Sequence, residues 1–151
     1  MCGGAKYVDP TKKEWKIYFP YEKAAMPVDR GDGQVEWVRW GKRSEENLPG
    51  FLNGGWARQK TIESGWWDKY QPEFVSLAVQ AFMEKEGNPT TDPEHPNRKP
   101  TRKSHWFDIE PGKAIEALIA HVEGDKRLYV VTVPTPAEYA WLEHDRWPKI
   151  V

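Results

Sequence analysis

Cysteine is almost missing from this sequence, since Cys2 is the only one among 151 residues. A single cysteine excludes an intramolecular disulfide and a zinc site built from several thiolates. No hydrophobic run approaches the roughly 20 residues that a membrane-spanning helix needs, and the first residues lack the apolar segment of a signal peptide. These absences predict a protein of the reducing cytoplasm that does not associate with a membrane.

A strong charge of one sign and the common cofactor motifs are also missing. The formal net charge is −1, so any nucleic-acid site has to be a local basic patch. The sequence contains no P-loop, GxGxxG, HExxH or GxSxG motif. His95, His105 and His121 do not have the spacing of metal ligands. We therefore expect no metal and no other cofactor.

Tryptophan and proline are abundant instead. Nine tryptophans and thirteen prolines occur in a chain whose length suits a single domain, residues 1–151. So many indole rings have to pack in a core or line a groove.

Local patterns divide the chain into short elements. Hydrophobic alternation predicts strands over 14–21 and 35–41, a strand and turn over 105–112, and two strands around a turn at 124–125 within 113–133. Helical spacing and capping residues predict a helix over 71–87 and a short helix over 135–144 capped by Thr135. Turn residues predict a long loop over 42–59 and a proline-rich loop over 88–104. The first half of 113–133 fits helical spacing equally well, so a helix stays open there.

The position of Cys2 directly after Met1 suggests a chemical role beside the ordinary one of a small buried residue. Removal of Met1 would leave an α-amine with a pKa of about 7.7–8.0 and a thiol with a pKa of about 8.5 on one residue. Such an aminothiol condenses with an aldehyde to an imine and closes through sulfur to a thiazolidine. Its α-amine could instead act as the base in amide hydrolysis.

Three further features are candidates for a site. His144 ends the predicted short helix, where a histidine could also be a simple C-terminal cap. Asp108 stands between bulky residues in "WFDIE", surroundings that favour acid–base work unless the side chain lies on the solvent face. Basic residues alternate with aromatic ones along the chain, as in single-stranded nucleic-acid grooves. The basic residues are Arg39, Lys42, Arg43, Arg58, Lys60, Arg98, Lys99, Arg102 and Lys103, and the aromatic ones are Trp37, Trp40, Trp56, Trp66, Trp67 and Trp106.

Five stretches of the chain, taken in order, resemble the SRAP family, the SOS response-associated peptidase-like proteins that crosslink to abasic sites in single-stranded DNA. They are "MCGG", "RWGKR", "GGWARQKTIES", "WFDI" and "LYVVTVPTPAEYAWLEHDRWPKIV". The match covers both ends of the chain, while 68–103 does not align. The resemblance implies an α+β, mainly β fold, with a twisted, barrel-like antiparallel sheet and a few flanking helices. It implies that Cys2 forms the thiazolidine, that His144 assists sugar ring opening or proton transfer, and that Arg58 and Arg146 lie near the DNA backbone.

The sequence also departs from the family pattern. The active-site asparagine of the family falls on Trp56, with Asn53 as a substitute three residues upstream. Its glutamate falls on Asp108, with Glu110 as a stand-in. These changes indicate a divergent, compact branch of the family, of phage or mobile-element type.

The resulting hypothesis is a cytoplasmic, monomeric protein of the DNA-damage (SOS-type) response that traps abasic sites in single-stranded DNA. Its expected catalytic residues are Cys2, Asp108, Glu110 and His144, and its expected DNA-binding residues are Arg39, Arg58, Arg146, Trp40, Trp56 and Asn53. Two alternatives stay open: an N-terminal-nucleophile peptidase or amidase, and a binding module that has lost the chemistry.

Overall fold

Two β-sheets make up most of the structure, a computed structural model that describes residues 2–151. The first sheet has four antiparallel strands in the order β2-β1-β7-β8. Its strands are β1 (Gly4–Val8), β2 (Glu14–Tyr18), β7 (Ala81–Lys85) and β8 (Ser104–Asp108). β2 is therefore an edge strand, and the start of the chain pairs with β7.

The second sheet has seven strands, six of them in the order β11-β10-β9-β6-β3-β4, with β5 pairing parallel to β10. Its strands are β3 (Ala25–Asp29), β4 (Val35–Arg39), β5 (Trp56–Arg58), β6 (Glu73–Leu77), β9 (Ile115–Val122), β10 (Asp125–Pro134) and β11 (Arg146–Pro148). Helical segments are short: α1 (Gln59–Glu63) and two 3₁₀ helices, Trp66–Tyr70 and Ala137–Leu142.

The larger sheet curls back toward itself without closing. Trp40, directly after β4, forms a one-residue bridge with Leu128 on β10, and the amide of Gly41 donates to the Leu128 carbonyl oxygen at 2.7 Å. β5 pairs with 130–132 of β10, so these residues are not available to β4. The mainly β prediction is confirmed, whereas neither sheet formed by residues 2–151 is closed into a barrel.

The largest error in the predicted elements is the helix over 71–87, which is two strands, β6 and β7. Phe74, Leu77 and Ala81 have helical spacing, but β6 pairs with β9 in the larger sheet and β7 pairs with β1 in the smaller one. Pairing and burial in two different sheets outweigh the local preference.

The other predicted elements agree better with the structure. The strand predictions at 14–21, 35–41 and 105–112 are confirmed by β2, β4 and β8, and the two-strand interpretation of 113–133 by β9 and β10. The predicted helix over 135–144 is a 3₁₀ helix without a side-chain cap. The hydroxyl of Thr135 donates to the carbonyl oxygen of His144 at 2.7 Å instead.

The main core lies between the two sheets and includes residues of both, among them Cys2, Met26, Trp40, Phe82 and Trp147. Trp40 is fully buried, and its indole N–H donates to the carbonyl oxygen of Gly55 at 2.9 Å. This bond ties the end of β4 to the segment that leads into β5.

We expect Gly41→Ala to lower the free energy of unfolding by about 3 kcal/mol or more, since it combines steric overlap with backbone strain. Gly41 has φ +57°, and a Cβ there would overlap the carbonyl oxygen of Gly54. Gly112→Ala is the matched control: its φ is +85°, but no atom lies within 4 Å of the added Cβ, so about 1–2 kcal/mol is expected. Urea denaturation measures both, and equal losses would contradict the steric argument.

Candidate active site

A cleft of about 600 Å³ lies where the start of the chain meets β7. We call it the His144 cleft. Most of its lining is aromatic or cationic, and the residues are Gly3, Tyr18, Phe19, Pro20, Tyr21, Trp56, Met83, Lys85, Arg102, Ser104, Trp106 and His144. The cleft therefore combines stacking surface and positive charge beside the first residues of the chain.

Cys2 is held firmly next to this cleft. Its side chain is fully buried, and its thiol donates to the carbonyl oxygen of Gly4 at 3.3 Å. The carbonyl oxygen of Cys2 accepts a hydrogen bond from the indole N–H of Trp56 at 2.7 Å, and the amide of Gly3 donates to the carbonyl oxygen of Met83 at 2.9 Å. Burial, and then the nearby charge of Glu84, raise the pKa of the Cys2 thiol, so the thiol is protonated at neutral pH.

Glu84 on β7 is the acid of this site, and the sequence analysis missed it. Its side chain is fully buried, and its Oε2 lies 3.0 Å from Nδ1 of His144. Burial raises the pKa of Glu84 to about 7, because desolvation disfavours the charged carboxylate. The Glu84 carboxyl group can therefore take up or release a proton near neutral pH. The signal was present in "AFMEK", an acid in an apolar alternation, but the predicted helix placed it near a helix end.

His144 owes its position to a tight contact between β7 and the second 3₁₀ helix. The amide of Gly87, just past β7, donates to the carbonyl oxygen of Leu142 at 2.7 Å. A Cβ at Gly87 would overlap the carbonyl oxygen of Glu143. The absence of a side chain at this position lets the chain bring His144 back onto Glu84.

Asp108 and Glu110 do not lie at this site, which corrects the predicted acids. In the β7–β8 register Glu84 is opposite His105, whereas Asp108 is opposite Ala81. Three residues along a strand correspond to about 10 Å. Asp108 and Glu110 instead line a different cavity beside Phe107 and Trp147.

Two of the predicted DNA-binding side chains have structural roles. Trp40 is fully buried, so its ring has no free face for a base. The amide oxygen of Asn53 accepts from Nζ of Lys42 at 2.6 Å, and Asn53 does not line the His144 cleft. It therefore does not replace an amide beside Cys2. Trp56 does reach this position, with its indole N–H on the carbonyl oxygen of Cys2.

The predicted arginines lie in two places. β5 and β11 both pair with β10, which brings Arg58 and Arg146 close together, each two residues after a lining residue of the cleft. Burial, and then the charge of Arg58, lower the pKa of Arg146, whose guanidinium donates to the carbonyl oxygen of Thr132 at 2.8 Å. Arg39 on β4 is exposed and donates to the carbonyl oxygen of Glu22 at 3.3 Å.

Other cations gather at the mouth of the cleft. The ammonium groups of Lys6 and Lys16 lie 5.4 and 5.9 Å from the centre of the Trp106 ring, within the range of a cation–π contact. Lys85 and Arg102 line the cleft itself. These cations therefore form a local basic patch next to Cys2, in a chain whose net charge is −1.

Glu84→Gln should remove a pH dependence from the stability of the protein. Between the unfolded pKa of 4.5 and the folded pKa of about 7, the native state holds a proton that the unfolded chain has released. The free energy of unfolding of the wild type therefore falls as pH rises through this window, by up to about 3 kcal/mol.

The amide of Gln does not titrate, so the stability of Glu84→Gln relative to the wild type should increase by that amount from pH 4.5 to pH 8. Urea denaturation at several pH values measures the difference. Glu110→Gln controls for the general loss of one carboxylate. A difference between Glu84→Gln and wild type that does not change with pH would contradict the assignment.

Comparisons of the chain with protein-family models, with curated proteins and with solved structures gave no match. Among residues 2–151, no helix has the length and apolar character needed to cross a membrane. The same residues contain no group of three or more His, Cys, Asp or Glu side chains arranged to hold a metal ion. Any assignment of function therefore depends on the geometry around Cys2, Glu84 and His144.

Proposed function

We propose that this protein forms a covalent thiazolidine between Cys2 and abasic sites in single-stranded DNA, as SRAP proteins do. One observation carries the proposal: Cys2 lies beside a buried Glu84–His144 pair, next to a cleft lined by aromatic and cationic side chains. An abasic site offers an aldehyde, flanking bases and phosphates. The site matches these with an aminothiol, stacking surface and positive charge.

The proposed reaction begins with removal of Met1, which creates an α-amine on Cys2. That nitrogen adds to the aldehyde carbon of the ring-opened sugar, and the carbinolamine loses its oxygen as water to give an imine. The sulfur then adds to the imine carbon and closes the ring. In net terms one N–H hydrogen and the thiol hydrogen leave with the aldehyde oxygen, so no oxidant or reductant is required.

Glu84 and His144 provide the proton transfers in this scheme. With a pKa of about 7, Glu84 can donate a proton to the departing oxygen and accept one from the thiol. His144, whose Nδ1 contacts Glu84, orients the carboxyl group and shares its proton. In this proposal Glu84 fills the role that the sequence analysis gave to Asp108.

The pKa of the thiol favours this reaction over amide hydrolysis. A cysteine nucleophile that attacks an amide works as a thiolate, and such thiolates have lowered pKa values. The pKa of Cys2 is raised by burial. In the thiazolidine scheme the amine attacks first, and the thiol reacts only with an imine that is already next to it.

Wild-type protein should give an SDS-stable adduct with a single-stranded oligonucleotide that contains one abasic site, and Cys2→Ala should give none. Cys2→Ser should also fail, because it cannot close the sulfur ring. Glu84→Gln and His144→Ala should slow adduct formation by about 10²-fold, the usual size of a general acid–base contribution. A denaturing gel over time measures these rates.

Asp108→Asn is the matched control for Glu84→Gln and should react at the wild-type rate. Intact mass of the wild type should show the loss of Met1. Retention of Met1, or an adduct formed efficiently by Cys2→Ser, would refute the thiazolidine mechanism. Salt-sensitive DNA binding with no adduct would favour the binding module.

The cations of the cleft should hold the phosphates of the same strand. Lys85→Ala combined with Arg102→Ala should weaken binding to undamaged single-stranded DNA and reduce the slope of log K against log salt by about 1.4, because each phosphate contact contributes about 0.7. Fluorescence anisotropy at several salt concentrations measures the slope. Lys113→Ala combined with Lys126→Ala removes the same charge away from the cleft and should leave the slope unchanged.

A further inference from the structure

A second groove lies between the edge strands of the two sheets, β2 of the smaller sheet and β4 of the larger one. We call it the β2–β4 groove. It has a volume of about 500 Å³, and most of its lining is apolar. Its most prominent walls are two half-exposed indoles, Trp15 on β2 (40% exposed) and Trp37 on β4 (43% exposed).

The two indoles form one aromatic surface. Their ring centres lie 5.9 Å apart with the planes inclined at 57°, and the Tyr7 ring meets Trp37 edge-on at 5.5 Å. Exposed aromatic rings that form one contiguous patch indicate a contact surface, whereas a single exposed ring does not. Here both indoles lie on edge strands of their sheets.

This groove is continuous with the His144 cleft. Tyr18 and Tyr21 line both of them, and their rings pack edge-on at 5.9 Å. Tyr18 in turn packs against Trp106 of the cleft at 6.2 Å. The cleft beside Cys2 and the groove therefore adjoin at Tyr18 and Tyr21, which line both.

The groove is also locally basic in a chain of net charge −1. Residues 12–23 contain four lysines and two glutamates. The ammonium group of Lys13 lies 4.0 Å from the centre of the Trp15 ring, and Lys16 lines the groove. Of the acids near it, Asp9 accepts from the Trp15 indole N–H at 3.3 Å and Glu14 pairs with Lys6 at 3.6 Å.

We propose that the β2–β4 groove binds bases of the same single strand whose abasic site enters the His144 cleft. One base stacks on Trp15, displacing Lys13 from the ring toward a phosphate, and another contacts Trp37. Stacking on indoles with lysines at the phosphates is the usual means of binding single strands without sequence preference. This inference names a substrate subsite for the proposed function and rests on it.

The test is the double variant Trp15→Ala/Trp37→Ala in a binding assay that needs no abasic site. Fluorescence anisotropy with a labelled, undamaged oligothymidylate should give a Kd about tenfold higher than wild type, or more, because stacked bases contribute strongly to affinity. Trp66→Ala is the matched control. Trp66 is 41% exposed and has Lys69 at 4.2 Å from its ring, but it lines neither the groove nor the cleft, so its Kd should stay within about twofold.

A second measurement separates this inference from the proposed function. With wild-type protein, abasic strands with long flanks should crosslink faster at low concentration than strands with flanks of two nucleotides. The double variant should lose only the advantage of the long flanks. If no strand crosslinks at all, the proposed function fails, and the anisotropy experiment still decides the groove.

Two variants protect the test against misfolding. Trp15→Phe/Trp37→Phe keeps an aromatic face and should recover most of the affinity. Lys13→Ala/Lys16→Ala leaves the indoles in place and should lower the salt slope by about 1.4. Equal affinity of wild type and the double Ala variant, an equal loss in Trp66→Ala, or failure of the wild type to bind the undamaged strand would each overturn the proposal. If the groove binds a protein partner instead of DNA, the wild type should fail to bind the undamaged strand.

Discussion

The contact between the Glu84 carboxyl group and the His144 ring, buried beside Cys2, is the interaction on which the candidate site depends. Glu84 lies on the smaller sheet, while His144 lies two residues before β11 of the larger one. The site is therefore a junction between the two sheets, and both must be folded for it to exist. Burying an ionisable pair is unfavourable unless the partners meet in good geometry. The close approach at Gly87 provides that geometry.

The arrangement around this pair supports the proposed site for an anionic polymer in a protein without net positive charge. Lysines and arginines border the His144 cleft and the β2–β4 groove, and aromatic rings lie between them. Many of these groups come from the first 23 residues, which also carry Cys2. Cys2 and much of the surrounding surface thus belong to one short stretch of chain.

Five of the strands, β2, β4, β8, β9 and β10, could be predicted from the sequence, as could the candidates Cys2 and His144, because alternation and residue chemistry are local signals. The acid could not be predicted, for a reason that involves β6 and β7. Phe74, Leu77 and Ala81 satisfy helical spacing, and nothing local shows that the chain passes from one sheet to the other after Leu77. Asp108 in "WFDIE" offered the same local pattern as Glu84 in "AFMEK". The register of β7 and β8, the burial of Glu84 and its contact with His144 separate the two.

The burial of Cys2 has a consequence for the lifetime of the protein. Peroxide and similar oxidants attack exposed thiolates, whereas a buried, protonated thiol reacts slowly with them. Cys2 has no exposed surface and a raised pKa. The only thiol of the chain is thus sheltered under oxidative stress, a condition that also damages DNA bases. Its reactivity is limited both by access and by its protonated state.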